Sequence, residues 1–264
     1  MKLGIFQFAP IWGDKNTNLK KIEEKLSSQS NIDLWILPEL CTTGYQFSSK
    51  DEIEELAEIF PLGESSKILL KLSSDIQSAI VIGVMERADD SFFNSAAVFD
   101  KGEFLGVYRK VHLFYEEKKW FSPGTETPPV FGINEVKVGV MICFDWIFPE
   151  MVRTLALQGA QIIAHPANLV LPYCQNAMIT RSIENRVFTA TGNRIGTEMI
   201  EGKQPLTFTG KSQVTDPCGK RLGNLSENEE DVLIVGINPE EALNKMITPY
   251  NDVLRDRHPS IYQL

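Results

Sequence analysis

The stretch Val138-Gly139-Val140-Met141-Ile142-Cys143-Phe144-Asp145-Trp146 decides the fold: an apolar run stops abruptly at a cysteine and is followed by a carboxylate. An unbroken apolar run of this length reads as a buried strand. Cys143 then falls at its carboxyl end, where open α/β sheets usually expose their chemistry. Beyond it, Pro149 opens a helical pattern of Met151, Val152, Leu155 and Ala156 that closes at Gly159. Proline near the first helical position and glycine just past the last are the expected punctuation. Strand, tight turn with a thiol, then helix resembles a nucleophile elbow and makes Cys143 the first candidate nucleophile. A lone cysteine in a strand is more commonly a small buried hydrophobe, so the chemistry rests on what accompanies it.

Working outward, strand and helix patterns alternate. Residues 131–142 read as a hairpin into the central strand, and 162–164 as another buried strand that ends at His165-Pro166-Ala167-Asn168. Nearer the start, residues 3–8 make a strand, and Leu19, Ile22 and Leu26 recur at helical spacing behind a polar start. Residues 32–37 return to an apolar strand and end at Pro38-Glu39-Leu40. Ser49 with Glu52 forms a capping-box pattern, with Ile53, Leu56 and Phe60 expected on one helical face. A short helix is expected over 67–72, a strand over 79–85, and a hairpin of 96–100 with 103–109 turning through Lys101-Gly102 and ending at Lys110.

Residues 111–129 have no clear period, and a long structureless stretch within a compact domain is more often a functional loop than padding. Helix and strand follow one another within 177–191, 213–222 fold about Asp216-Pro217-Cys218-Gly219, 231–237 supply a late strand, and Asn238-Pro239-Glu240 starts a short helix. The polar tail 248–264 lacks periodicity and is a candidate arm at a subunit interface. With no internal repeat, linker or glycine-rich phosphate loop, one domain over 1–264 is the economical organisation.

Composition bounds the function. A chain of 264 residues with 43% hydrophobic and 23% charged residues is an ordinary globule. Its net charge of -9 argues against nucleic acid or an anionic membrane as partner, since both need a basic face. No apolar stretch suits a signal peptide or a bilayer span, which places the protein in the cytoplasm. Cys41, Cys143, Cys174 and Cys218 are dispersed and form no C-x-x-C pair, so reduced thiols are expected in place of disulfides or a zinc site.

Three buried strands end in reactive residues of different type, Glu39, Lys110 and Cys143. Acyl transfer needs a nucleophile, a base for its proton, and positive charge or N–H groups where an oxyanion develops. His112 and His165 offer a competing thiol–histidine arrangement, but hydrogen-bonded wall or tether is the commoner role for such histidines. Three histidines without metal-like spacing argue against a bound metal.

Pro38-Glu39-Leu40, Arg109-Lys110-Val111-His112-Leu113-Phe114 and Ile142-Cys143-Phe144-Asp145-Trp146, followed by Phe148-Pro149-Glu150, resemble the three signature segments of the nitrilase superfamily, the carbon–nitrogen hydrolases. The likeness extends to His165-Pro166-Ala167-Asn168, Glu184-Asn185-Arg186 and Asn193-Arg194-Ile195-Gly196, and is strongest to small archaeal nitrilase-type proteins. The resemblance implies an α/β fold, a four-layer α-β-β-α sandwich, paired into a homodimer. It also implies Cys143 as nucleophile, Glu39 as general base, Lys110 at the oxyanion and Glu117 as a second glutamate beside them.

The expected reaction is hydrolysis of a small amide or N-carbamoyl amine through a thioester. The Phe144 backbone N–H is a second oxyanion donor, and no cofactor is needed. Conversion of a small nitrile to acid and ammonia is the alternative, and a catalytically silent binding or regulatory protein is the alternative of another class. Tyr45, Trp146 and Asn168 are candidate substrate-binding residues.

Overall fold

Period-two alternation within the first strand, Lys2–Gln7, already dictates the layering. Leu3 and Ile5 join one apolar cluster with Val138, Val140, Ile162 and Ala164. Phe6, from the opposite face, joins another with Leu19, Ile22, Leu26, Leu69 and Leu72. Both faces of the strand are buried, so its sheet must lie between a second sheet and a layer of helices.

The computed structural model describes residues 1–262; Gln263 and Leu264, the end of the expected C-terminal arm, lie outside the described residues. The first sheet runs in space Asp231–Gly236, Lys2–Gln7, Leu34–Ile36, Ala79–Ala88, Ser91–Asp100, Glu103–Arg109. The second runs Arg221–Asn224, Gln213–Thr215, Phe188–Gly192, Ile162–Pro166, Val136–Val140, Val130–Ile133. In each, three central strands are parallel and the flanking pairs antiparallel. Helices Lys15–Ser27 and Glu64–Asp75 cover the first sheet, while Pro149–Leu157 and Cys174–Asn185 cover the second. The result is the α-β-β-α sandwich.

This topology gathers the reactive strand ends. Leu34–Ile36 and Ala79–Ala88 are parallel, and two antiparallel pairings later Glu103–Arg109 points the same way. Glu39 and Lys110, which follow the first and last of these, therefore emerge at one end of the sheet. Val136–Val140 and Ile162–Pro166, parallel neighbours in the other sheet, deliver Cys143 and Asn168.

Several boundaries differ from the sequence expectation. The helix capped by Ser49 ends at Leu56, where Ala57 turns to extended backbone, and Phe60 sits in a turn beyond it. Within 111–129, Glu117–Trp120 forms one helical turn. The strand expected to begin at 96 begins at Ser91. Near the end, Met246–Thr248 and Asn251–Asp252 pair as a small ribbon, and no described helix is long and apolar enough to cross a membrane.

Candidate active site

Cys143 opens the short 3-10 turn Cys143–Ile147 with φ +40°, a left-handed conformation. For a residue other than glycine this costs on the order of 1–3 kcal/mol and persists only where surrounding contacts hold it. Here Asp145, fully buried, accepts from the Ile142 N–H at 2.9 Å, the Tyr108 hydroxyl at 2.7 Å and the His112 N–H at 3.2 Å, and meets His112 Nδ1 at 2.7 Å. The His165 ring fixes the other side, with Nε2 at 2.9 Å from the Cys143 carbonyl and Nδ1 at 3.0 Å from Thr191 Oγ1. A carbonyl can only accept, so Nε2 carries the proton and Nδ1 accepts from the threonine. Burial lowers the His165 pKa to about 4, which keeps the ring neutral. Both ring nitrogens of His165 are thus occupied, and His112 is stacked on Phe148 at 3.7 Å. The histidines are tethers.

Facing the elbow is a buried ionic cluster. Lys110 Nζ donates to Glu39 Oε1 at 2.6 Å and to Glu117 Oε1 at 2.7 Å, with all three side chains buried. Asn94 Nδ2 also donates to Glu39 Oε1, at 2.7 Å, and the Tyr45 hydroxyl donates to Glu117 Oε1 at 2.6 Å. Glu39 Oε2 is buried and has no hydrogen-bond partner. One oxygen of this carboxylate is therefore clamped and the other is available. Glu116, the neighbouring glutamate in sequence, instead pairs outward with Lys119 and Lys203, while Glu117 pairs with Lys110.

The electrostatics follow from burial and neighbours. Burial opposes the Lys110 ammonium, but the Glu117 and Glu39 carboxylates outweigh it and hold its pKa above the ordinary lysine value. Burial raises the Glu117 carboxyl, partly countered by Lys110. Burial, then the Glu39 charge, push the Cys143 thiol well above its usual value, against the opposing pull of Lys110 and the Asn168 backbone N–H. At neutral pH the thiol is protonated at rest, so attack by sulfur requires a base that takes the proton.

The surrounding backbone is built to hold this cluster. A Cβ on Gly83 would stand 2.3 Å from the Glu39 Cα, so only glycine lets the Ala79–Ala88 strand approach the turn that carries Glu39. The buried Arg194–Glu198 ion pair anchors the next loop, with the Glu198 carboxylate accepting from the Tyr45 N–H at 3.0 Å and the Gln46 N–H at 2.8 Å. Loop position, Tyr45 hydroxyl, Glu117 and Lys110 are thereby mechanically linked.

Cys143 opens into a small cleft that Phe114, Phe144, Trp146, Asn168 and residues 169–171 complete. A second small cleft, reached by Glu117, is bounded by Tyr45, Gln46, Phe47, Tyr115 and Trp120. Roomier clefts such as that bounded by Phe93, Arg109, Thr125 and Glu126 contain none of the four reactive side chains, so size is no guide to the site. Glu39, Lys110 and Glu117 are thus linked directly, Cys143 stands close enough to feel their charges, and Phe144, Trp146 and Asn168 share its cleft. Tyr45 lines the neighbouring cleft, its hydroxyl already committed to Glu117. Sequence reasoning missed Asn94, Tyr108 and Glu198. Asn94 leaves a signal, a polar residue interrupting the apolar run Phe92 to Phe99, whereas Glu198 leaves none.

The carbon–nitrogen hydrolase family model matches residues 2–243. The chain is 42% identical over 264 residues to a nitrilase of Pyrococcus abyssi, covering 99% of each, and 30% identical to an N-carbamoylputrescine amidase of Solanum lycopersicum, covering 95% of this chain and 90% of that one. Among solved structures it is similar to an amidase from Nesterenkonia sp. AN1 with acrylamide added at the active-site cysteine. There the TM-score is 0.81 and the identity 27%, with 98% of this chain and 97% of that one covered.

Proposed function

The chain belongs to the carbon–nitrogen hydrolase family, and from that premise we propose that it hydrolyses a small amide or N-carbamoyl amine through a Cys143 thioester. The observation that carries the reading is the divided Glu39 carboxylate, with Oε1 held by Lys110 and Asn94 and Oε2 without a partner. Oε2 takes the thiol proton as sulfur attacks the substrate carbon, and Lys110 Nζ with the Phe144 N–H receives the developing oxygen charge. Glu39 returns the proton to the departing ammonia or amine. Water, deprotonated by Glu39, then attacks the thioester, and the acid leaves as the thiol is restored. Glu117 keeps Lys110 charged and in place.

Nitrile hydrolysis is the second reading, favoured by the 42% identity to a protein named nitrilase; the same sulfur would attack the nitrile carbon and give a thioimidate. A silent binding role sits poorly with four intact reactive side chains. The test is ammonia release from matched small amides, N-carbamoyl amines and nitriles, with wild type and Cys143→Ala in parallel. Release from one class, abolished in the variant, selects the substrate class; no release from any class by either protein overturns the reading.

We also infer a cytoplasmic homodimer. All four cysteines are free thiols, as a reducing compartment requires. Ile147, Leu157 and Ile183 are exposed on or beside the helices that cover the second sheet, apolar groups that a second copy would cover. The described part of the tail follows the same layer, where Arg153 Nη1 donates to the Val253 carbonyl at 3.2 Å, which supports an arm at that interface.

A further inference from the structure

Asn168 is an anomaly within its cleft. Its side chain is 2% exposed, yet neither Nδ2 nor Oδ1 has a hydrogen-bond partner. Buried amides are ordinarily satisfied, and a group left with both a donor and an acceptor idle needs a specific explanation. The residue is otherwise firmly placed. It follows the strand Ile162–Pro166, the next residue's N–H donates to Asn193 Oδ1 at 2.9 Å, and it lines the same cleft as Cys143.

The rest of the cleft has little polarity to offer. Phe114, Phe144, Trp146, Leu169, Val170 and Leu171 bring rings and aliphatic carbon, and no charged side chain lines it among the described residues. A substrate chain bearing a full charge would be desolvated there without a counter-charge. A plain hydrocarbon chain would leave the Asn168 amide idle. The group that fits both demands is neutral and presents a donor beside an acceptor, and a primary carboxamide does so with matching geometry through a pair of N–H···O bonds.

We propose that Asn168 is the specificity-determining residue of this site and selects acyl chains that carry a second primary carboxamide over plain aliphatic and over anionic chains. The proposal rests on the amide-hydrolase reading above and names its substrate class. A site built around a hydrogen bond discriminates strongly against analogues that lack the group, because its own buried polar atoms are then left unpaired.

The experiment compares kcat/KM for succinamide, butyramide, succinamate and 4-aminobutyramide, four amides of equal chain length, in wild type, Asn168→Leu and Asn168→Asp, with thermal unfolding to establish that each variant folds. Wild type is expected to prefer succinamide over butyramide and over succinamate by at least about tenfold. In Asn168→Leu the succinamide-to-butyramide ratio should collapse to the statistical advantage of two equivalent amides. In Asn168→Asp, which has an anionic acceptor and no donor, preference should move to the cationic 4-aminobutyramide. If the leucine variant does not fold, the aspartate variant decides alone. Equal use of butyramide and succinamide by wild type, or a succinamide-over-butyramide preference that survives Asn168→Leu, overturns the role of Asn168 while leaving the hydrolase reading standing. Failure of wild type to hydrolyse any of the four overturns the proposal together with its amide-hydrolase premise.

Discussion

Lys110 bears two duties that a single substitution exposes. It is the ammonium at the proposed oxyanion, and it is the only described partner that neutralises Glu39 and Glu117 together. Lys110→Ala is expected to lower turnover by at least about a hundredfold, near 3 kcal/mol of transition-state stabilisation. It should also lower stability by roughly 3–5 kcal/mol, because two carboxylates stay buried without their cation; initial rates and urea unfolding measure the two effects separately. His165 gives a pH signature instead. Its folded pKa of about 4 lies below the ordinary imidazole value of 6.5, so between these values the unfolded chain binds the extra proton. Its contribution is complete above pH 6.5 and is lost as pH falls through the window toward 4. Between pH 7 and pH 5 wild type should lose about 2 kcal/mol more stability than His165→Gln, visible as converging urea midpoints. At this scale Glu39, Lys110 and Cys143 were legible because reactive side chains at strand ends break apolar runs, whereas Glu117, in a stretch without clear period, was implied only by the family resemblance. The Tyr45–Glu117 and Lys203–Glu116 bonds, which separate the two glutamates, span distant parts of the chain and leave no local pattern, and Asn94 is marked only by interrupting an apolar run.

Elements succeed here by how closely their backbones approach. The Gly83 N–H donates to the Pro38 carbonyl at 3.1 Å and the Cys41 N–H to the Gly83 carbonyl at 3.1 Å, so the strand acts as a template for the turn that presents Glu39. Gly83→Ala forces a methyl into the Glu39 backbone. Overpacking of this kind costs roughly 1–3 kcal/mol, and turnover should fall with it since the proposed base is displaced. A variant with wild-type unfolding and wild-type rate would contradict this dependence. Element types were readable wherever a face is uniformly apolar, as with Leu19, Ile22 and Leu26 on Lys15–Ser27. The start of Ser91–Asp100 was not, because Asn94 and Ser95 are buried to serve Glu39 and Glu86. Polar residues recruited inward by a site erase the periodicity that reveals a strand. The ladder hydrogen bonds and the partner strands restore it only in three dimensions.

For the whole molecule, the outer helix layer would connect the proposed dimer to the chemistry. Ile183 is exposed on Cys174–Asn185, and from the same helix Arg181 Nε donates to the Trp146 carbonyl at 3.1 Å and Nη2 to the Ile147 carbonyl at 3.3 Å. These carbonyls belong to the turn that begins at Cys143. A partner seated on Ile147, Leu157 and Ile183 would therefore press directly on the element that sets the thiol's position. Each copy carries a net charge of -9, so the proposed association would work against long-range repulsion and depend on apolar contact, with a stable interface needing about 1,200–2,000 Å² of buried surface. Placing glutamate at both Leu157 and Ile183 adds charge where desolvation is required and should yield a folded monomer by sedimentation velocity. With the turn no longer supported from outside, kcat should drop, by up to about a hundredfold if the sulfur shifts by an ångström. Raising salt should tighten the wild-type dimer by screening the repulsion. Monomeric wild type would remove the dimer, whereas a monomeric double variant with full kcat would keep the dimer and sever it from catalysis.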